Sequence, residues 1–339
     1  MTIDLRSDTV TKPTAQMKEV MFAAEVGDDV FLEDPSINQL EEKVAGLFGK
    51  EAALFCTSGT MTNQIGIKVN TQPNDEVICH QNAHIYKYEG GGMMSNSLVS
   101  VKLLTGDRGM ITNEQVLGSI NPDDDHAPRT SLVSIENTMN KGGGACYELE
   151  EVKKIAKTCQ NNGLRFHLDG ARLFNALIAK GESAAEWGKL FHTISICFSK
   201  GLGAPVGSAI LGSKADIKQA RRVRKTFGGG WRQAGYLAAA CSYALDHHVE
   251  RLAEDHKRAQ LLAEAFLSKS FVSGVLPVET NIVIFQCEGI SAPDLVEILE
   301  AKGIRCIPFS GTEVRLVTHL EFTDEMLDRA LEIIKDLEI

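Results

Sequence analysis

The sequence predicts an α/β protein with a mainly parallel sheet in a large domain, followed by a smaller α/β domain. Between residues 52 and 211, short apolar runs that suit buried strands alternate with segments of helical apolar spacing. This alternation is typical of a doubly wound sheet with helices on both faces. After three glycines at 228–230 the pattern changes to two long helices and then shorter elements. We therefore predict a large domain at 1–249 and a smaller one at 250–339.

The chain before the sheet predicts an extended segment and then two helices. Residues 1–15 are polar, contain Pro13 and several threonines, and do not fit a helix. Helical spacing follows over 16–26 and over 36–49, where Ile37, Leu40 and Val44 share one face.

The alternating region and the C-terminal part predict the remaining elements. Strands are expected at 52–55, 76–80, 98–103, 131–136, 165–168, 194–198, 206–211, 280–286 and 314–317. Helices are expected from about 60 to 69 and at 148–160, 172–179, 232–246, 249–268, 292–302 and 323–337.

Composition and charge exclude several classes of partner. The 339 residues carry a formal net charge of -10, which argues against nucleic acid or an anionic membrane as the main partner. We therefore expect any anionic ligand to be held by a local site. The N-terminus lacks a signal-peptide pattern, and no apolar run approaches the length of a membrane span.

The eight cysteines predict a reducing compartment. None forms a C-x-x-C pair, which makes a zinc site unexpected, and we predict no metal. Five of them lie in or beside apolar runs and are expected to be buried thiols: Cys56, Cys79, Cys197, Cys241 and Cys287. We predict a cytoplasmic protein.

Lys200 follows the apolar run 194–198 and is the first candidate functional residue. Open α/β sheets keep their ligand crevices at the carboxyl ends of strands. An amine placed there can attack a carbonyl and form a Schiff base. From this stretch alone, a surface lysine that simply follows the strand is an equally good interpretation.

Two other strand ends carry candidate residues. Residues 56–60 join a strand to a helix, and the free N–H groups of a helix N-terminus bind phosphate, although Ser58 or Thr60 could be an ordinary N-cap. Asp169 ends another strand, where a carboxylate can pair with a protonated pyridine nitrogen and make the ring an electron sink. The alternative for Asp169 is a local salt bridge with Arg172, or an N-cap.

The three strand ends together predict a binding pocket for pyridoxal 5′-phosphate. A phosphate-binding turn, a strand-end aspartate and a later strand-end lysine occur in that order on a parallel sheet. These are the parts that the cofactor needs, and their combination is more specific than any one of them.

The chain resembles the low-specificity L-threonine aldolases, which are pyridoxal-phosphate enzymes of fold type I, the aspartate-aminotransferase-like fold. The motifs that carry the resemblance are SDTVT at 7–11, GDDV at 27–30, EDP at 33–35, TSGTMTN at 57–63, HLDGAR at 167–172 and SKGLGAP at 199–205. The resemblance runs in order from about residue 4 to 235 and continues weakly to the C-terminus.

The resemblance implies a role for each candidate around the cofactor. Lys200 binds the cofactor covalently and Asp169 pairs with its pyridine nitrogen. Gly59 and Thr60 hold the phosphate, helped by Arg232, which in such enzymes can come from a neighbouring subunit. His84 stacks on the ring.

The resemblance also implies a substrate site. Ser7, Arg172 and Arg315 bind the substrate carboxylate, and His126 lies near its β-hydroxyl. Without the resemblance, His84 would be a satisfied loop histidine, His126 a residue of a solvated acidic loop, and Arg315 an exposed strand residue.

One departure from the family concerns substrate preference. Many members have tyrosine after the GDDV motif, whereas this chain has Phe31. Any hydrogen bond from that phenol is lost here.

The activity implied is cleavage of L-threonine, L-allo-threonine and other L-β-hydroxy-α-amino acids to glycine and an aldehyde. This would make the chain an aldehyde-lyase of amino-acid metabolism. The base at the β-hydroxyl is predicted to be His84, with His126 or a phosphate-bound water as alternatives. Family members are usually homotetramers, dimers of dimers with shared active sites.

Two alternative functions remain open on the sequence. One is another reaction with the same cofactor, such as amino-acid racemisation or β-elimination. The other is a protein that binds the cofactor without turnover.

Overall fold

The computed structural model describes residues 2–339 and confirms the α/β class. Its strands are β1 (Ile3–Asp4), β2 (Ala52–Cys56), β3 (Glu76–His80), β4 (Ser100–Leu104), β5 (Thr130–Glu136), β6 (Arg165–Gly170), β7 (Thr193–Cys197), β8 (Ser208–Gly212), β9 (Val272–Val275), β10 (Ile282–Cys287), β11 (Ile304–Arg305), β12 (Ile307–Pro308) and β13 (Glu313–Val317).

The helices are α1 (Ala15–Phe22), α2 (Pro35–Leu47), α3 (Gly59–Asn70), α4 (His84–Lys87), α5 (Gly92–Ser97), α6 (Asn113–Leu117), α7 (Leu149–Asn161), α8 (Leu173–Lys180), α9 (Ala184–Gly188), α10 (Lys214–Thr226), α11 (Gly235–His247), α12 (Leu252–Leu267), α13 (Ala292–Ala301) and α14 (Asp324–Lys335). Short 3-10 turns lie at Asp8–Val10, Asp29–Phe31, Asp107–Gly109 and Asn140–Gly142. The described helices include none that is both long and apolar enough to cross a bilayer.

A seven-stranded sheet forms the centre of the chain, in the order β2-β8-β7-β6-β5-β3-β4. Strand β8 is antiparallel to both of its neighbours, and the other pairs are parallel, so β8 alone in this sheet runs in the opposite direction. The predicted mainly parallel sheet is therefore confirmed. The carboxyl ends of β2, β6 and β7 consequently meet at one edge of the sheet.

The C-terminal part has its own antiparallel sheet, ordered β12-β13-β10-β9. Its apolar cluster includes Phe266, Phe285 and Leu316, and also Ile3 and Leu5 from the N-terminus. Strand β1 pairs in parallel with β11, and the Leu5 carbonyl accepts from the Val317 N–H at 2.8 Å. The start of the chain thus packs against the C-terminal sheet, whereas the boundary at 249/250 stays a prediction.

Two differences from the predicted elements have physical reasons. Helix α1 ends at Phe22 because the chain turns back toward Asp34, whose carboxylate accepts the Gly27 N–H at 3.2 Å. Helix α10 was not predicted, since it is strongly basic and only a narrow stripe, including Ile217 and Ala220, is buried.

All eight cysteines are buried and unpaired, so the prediction of buried thiols is confirmed.

Candidate active site

A cavity of about 200 Å³ lies at the carboxyl ends of β2, β6 and β7. Its lining includes five of the predicted site residues, namely Gly59, Thr60, His84, Asp169 and Lys200. Ser58, Asn63, Ala171, Cys197 and Ser199 complete the lining. The structure therefore brings the three predicted strand ends together in one pocket.

The register of the sheet places the aspartate and the lysine on neighbouring strands. Asp169 on β6 lies beside Ser195 on β7, and β7 ends at Cys197, three residues before Lys200. The Lys200 carbonyl accepts the Gly203 N–H at 2.8 Å, which closes the turn after the strand. The half-buried Lys200 is thus held at the carboxyl edge of the sheet.

Helix α3 begins at the cavity. Ser58 is its N-cap, and its hydroxyl accepts the Met61 N–H at 3.2 Å. A Cβ atom on Gly59 would lie 2.7 Å from Sγ of Cys197, so this position requires glycine. The N–H groups of Gly59 and Thr60 are left available, and the positive end of the helix dipole favours an anion such as a phosphate.

Asp169 is almost fully buried and accepts two hydrogen bonds from the chain. One oxygen accepts the Ala171 N–H at 3.2 Å, and the other accepts a side-chain N–H of Asn63 at 2.9 Å. Both bonds orient the carboxylate beneath the cavity, where a pyridine N–H would satisfy its remaining acceptor capacity.

Asn63 connects Asp169 to a second buried carboxylate. Its amide nitrogen also donates to Glu89 at 2.9 Å, and Glu89 accepts Nδ1 of His84 at 3.0 Å. Nitrogen and carboxylate atoms of His84, Glu89 and Asp169 lie within 4.8 Å of one another. The charges of these three side chains therefore influence one another. The absence of a metal remains a prediction.

Buried charges around His84 shift its titration. Burial acts to lower the pKa of His84, but its hydrogen bond to Glu89 and the charges of Asp169 and Glu136 raise that pKa above its ordinary value. Burial and the charge of Asp169 raise the pKa of Glu136 to about 7. This excess of negative charge favours a cationic ligand at the aspartate end of the cavity.

Arg172 lies next to the cavity and is paired with a residue that the sequence reasoning did not single out. Its Nε and Nη2 each donate to Asp8 at 2.7 Å, and both side chains are buried. Asn281 also donates to Asp8 at 3.2 Å. Burial acts to raise the pKa of Asp8, but the charge and hydrogen bonds of Arg172 and the charge of Lys200 lower it to about 2.

Arg315 and Ser7 approach the same region from other elements. Arg315 on β13 donates to the Asn140 side chain and to the Arg6 carbonyl, both at 3.1 Å, while its buried Nε lacks a partner among the described residues. Burial and the charge of Arg172 lower the pKa of Arg315 to about 10. Ser7 caps the 3-10 turn that begins at Asp8.

Five predicted residues do not line the cavity: Ser7, Arg172 and Arg315, described above, and the two exposed residues Arg232 and His126. The Arg232 side chain is 67% exposed and pairs with Asp28 at 3.0 Å. The His126 side chain is 97% exposed and contacts Asp124 in an acidic loop. Phe31 is also exposed, at 70%. Their proposed roles stay predictions.

Sequence reasoning gave no role to Asp8, Asn63, Glu89, Glu136 or Asn281. Asp8 and Asn63 fall inside the motifs quoted above, so those motifs were the available signal for them. Glu89 precedes the glycines at 90–92 and Asn281 lies in a C-terminal strand region, where no sequence pattern identifies a site residue.

The fold and the pocket define a pyridoxal-phosphate enzyme: a lysine, an aspartate and a helix N-terminus meet at the carboxyl edge of a mainly parallel sheet. The beta-eliminating lyase family matches residues 4–288. Low-specificity L-threonine aldolase 1 of Arabidopsis thaliana is 42% identical over 95% of this chain and 92% of its own length. The enzyme of Escherichia coli O157:H7 is 40% identical, with 96% of each chain covered.

Solved structures support the same fold. A Leishmania major threonine aldolase matches with a TM-score of 0.85 at 21% identity, covering 98% of both chains. A putative L-allo-threonine aldolase from Listeria monocytogenes matches with a TM-score of 0.82 at 23% identity, covering 99% of this chain and 96% of that one.

The chain belongs to the low-specificity L-threonine aldolase family. As predicted, the chain is a lyase with the fold of type I pyridoxal-phosphate enzymes, and pyridoxal phosphate is its cofactor.

Proposed function

We propose that this protein cleaves L-threonine, L-allo-threonine and other L-β-hydroxy-α-amino acids to glycine and an aldehyde. The observation that carries the proposal is the cavity in which Gly59, Thr60, His84, Asp169 and Lys200 converge. The curated relatives at 40–42% identity are named for threonine cleavage, which supports the same reaction here.

The cavity residues fit pyridoxal phosphate. Lys200 would hold the aldehyde carbon through its amine, the N-terminus of α3 at Gly59 and Thr60 would hold the phosphate, and Asp169 would hold the proton on the pyridine nitrogen. His84 would cover the ring. The bound cofactor supplies a protonated ring that accepts the electron pair of the broken Cα–Cβ bond.

Two arginines suit the substrate carboxylate. Arg172 and Arg315 are buried close enough for the charge of one to lower the pKa of the other, and a carboxylate between them would relieve that repulsion. Asp8 occupies Nε and Nη2 of Arg172, so Nη1 is the group left for the substrate. Ser7 precedes Asp8 in the chain and would add a hydroxyl donor.

His84 is the proposed base. It would take the proton of the β-hydroxyl, whereupon the oxygen forms a carbonyl with Cβ and the Cα–Cβ bond breaks. The carbon left on the amino-acid fragment then gains a proton, and glycine leaves after the aldehyde. His126 and a phosphate-bound water are the alternative bases.

A product assay tests the proposed reaction. Purified protein loaded with pyridoxal phosphate is incubated with L-threonine, L-allo-threonine and L-phenylserine, and aldehyde and glycine are quantified. Equal amounts of acetaldehyde and glycine from threonine are expected. Formation of the Cα epimer, which is D-allo-threonine from L-threonine, in place of these products would establish racemisation, and ammonia with a keto acid would establish elimination. Cofactor binding without turnover would establish a binding protein.

The assembly and location are further parts of the proposal. A homotetramer with shared active sites would bring an exposed arginine such as Arg232 to the phosphate of a neighbouring subunit. Gel filtration with light scattering, with and without cofactor, tests this assembly. The buried free cysteines support a cytoplasmic location, and the change in sheet type supports division of the chain at 249/250.

A further inference from the structure

The carboxylate of Glu89 receives hydrogen bonds from three side chains. His84 Nδ1 lies 3.0 Å from one oxygen, and the Asn63 amide donates to the same oxygen at 2.9 Å. The Gln64 amide donates to the other oxygen at 2.6 Å. The Glu89 side chain is fully buried, so these contacts are shielded from water.

This arrangement fixes the tautomer of His84. A carboxylate only accepts hydrogen bonds, so Nδ1 of His84 must carry the proton that points to Glu89. In the neutral ring, Nε2 is then a free acceptor. The ring is one-third exposed at the cavity, which leaves that acceptor accessible.

The orientation of Asn63 is fixed from its other side. Asn70 donates to the Thr193 hydroxyl at 2.7 Å, and that hydroxyl bonds Nδ1 of His167 at 2.9 Å. Nε2 of His167 lies 3.2 Å from the Asn63 carbonyl oxygen, which can only accept. Burial lowers the pKa of His167 to about 4, partly opposed by the charge of Asp169, so a neutral ring completes this chain of donors.

Glu89 is one of several charged or titratable groups that face His84. Asp169 contributes negative charge from β6, and Glu136 accepts the His84 backbone N–H at 2.7 Å from β5. Lys200 lines the same cavity, and the Tyr88 ring lies 5.6 Å from the imidazole. Among these groups, Glu89 alone bonds a ring nitrogen of His84.

We propose that Glu89 is a positioning residue that holds His84 with Nδ1–H as donor and Nε2 as the acceptor for the substrate's β-hydroxyl proton. The inference rests on the proposed aldol cleavage and on His84 as its base. Glu89 itself does not contact the substrate. It acts through the imidazole, in the way that a buried aspartate orients the histidine of a catalytic triad.

The Glu89→Gln variant tests this role in the holoenzyme. An amide can donate to Nδ1 and so hold the wrong tautomer, so kcat for threonine should fall by about 10²-fold with little change in KM. Because the negative charge favours the imidazolium, its loss should also move the acid limb of the kcat/KM profile to lower pH by about one pH unit.

A second readout does not depend on activity. Diethylpyrocarbonate modifies neutral imidazole, so its rate at His84, mapped by mass spectrometry as a function of pH in cofactor-free protein, follows the titration of that ring. We expect the midpoint in Glu89→Gln to lie below that of the wild type. An unchanged midpoint would overturn the proposal.

Two further variants separate positioning from general damage. Glu89→Asp keeps the charge one methylene further from the ring, so its acid limb and midpoint should stay near those of the wild type while kcat is reduced. This variant also provides the test if Glu89→Gln fails to fold. If Glu89→Asp moves the midpoint as far as Glu89→Gln, the proposed role of the charge is wrong.

Glu41→Gln is the matched control. Glu41 is also a buried carboxylate, which accepts the Phe55 N–H at 2.8 Å and pairs with Arg221, but it does not line the cavity. Its replacement should lower stability and leave the His84 midpoint unchanged. Equal shifts in Glu41→Gln and Glu89→Gln would indicate a structural effect and overturn the proposal.

A wild type without aldehyde or glycine production would refute the proposed function, whereas an active wild type with an unaffected Glu89→Gln would refute only this inference.

Discussion

The aspartate end of the cavity and the predicted phosphate end differ in how completely one chain builds them. At the first, Asn63 donates to both Asp169 and Glu89, and Glu89 also bonds His84, through hydrogen bonds of 2.9–3.0 Å. At the second, the N-terminus of α3 is in place, but Arg232 is 67% exposed and bonded to Asp28.

This difference indicates which parts of the site depend on folding and which on assembly. Buried carboxylates are costly unless each has its partners, so the aspartate end must be satisfied within the fold itself. An exposed arginine has no such constraint and remains available to a neighbouring molecule. We expect substitutions at the buried end to affect chemistry and stability, and those at the exposed end to affect cofactor affinity.

The largest effect is expected at Lys200, where the two ends of the cavity meet. Lys200→Ala removes the amine that we propose holds the cofactor, so threonine cleavage should fall by about 10⁴-fold or more. Borohydride reduction should then leave no cofactor attached to the protein, as judged by intact mass. The exposed Lys218→Ala is the control and should behave as the wild type. Full activity of Lys200→Ala would refute the proposed reaction.

The next largest effect should distinguish the buried histidine from the exposed one. His84→Phe keeps an aromatic ring at the cofactor position but removes the proposed base, so kcat should fall by about 10²-fold or more. His126→Ala, at a side chain that is 97% exposed, should change kcat less than about 3-fold if no partner covers it. The reverse order in steady-state kinetics would transfer the role of the base to His126.

Replacement of Asp8 tests how much its buried ion pair with Arg172 stabilises the folded protein. Asp8→Asn leaves the Arg172 guanidinium buried without its counter-ion, so the free energy of unfolding should fall by about 3 kcal/mol or more. The pKa of Asp8 is about 2 in the folded protein against 3.8 for the unperturbed group. Its charge therefore stabilises the wild type above about pH 4, and that contribution, on the order of 2 kcal/mol, is lost as pH falls toward 2.

Urea unfolding of cofactor-free protein at pH 7 and at pH 3 measures this difference. Between pH 7 and pH 3, the free energy of unfolding of Asp8→Asn should fall by less than that of the wild type, because the variant has no carboxylate at this position to protonate. Asp4→Asn removes an exposed ion pair with Arg6 in the same segment and should cost less than about 1 kcal/mol. An equal loss in the two variants would contradict the importance of the buried pair.

The smallest effect is expected at the exposed end. Arg232→Ala should weaken pyridoxal-phosphate binding by about 10-fold, the loss of one charge-assisted contact, without changing kcat at saturating cofactor. Arg329→Ala removes an exposed ion pair with Glu332 far along the chain and is the control. Equilibrium dialysis at several protein concentrations measures the affinity. An unchanged affinity would remove Arg232 from the phosphate site.

The sequence by itself determined the α/β class, most strands of the central sheet, and the strand-end positions of Lys200 and Asp169, the predicted cofactor residues. These features are local: apolar periodicity marks each strand, and functional residues follow directly where a strand ends. The strand-to-helix junction at 56–60 predicted the phosphate-binding turn, and the family resemblance added His84 and the roles of Gly59 and Thr60; the structure places all three residues in the same cavity.

Only the tertiary structure decided which polar side chains meet across long separations in the chain. Asp8 bonds Arg172, 164 residues away, and Asn63 bonds Asp169, 106 residues away. Helix α10 was not predicted from the sequence because its apolar stripe is narrow, and that stripe is recognised as a buried face only once the helix is packed on the sheet. The local sequence pattern indicates whether a residue is buried, but the tertiary packing determines which partner compensates its charge.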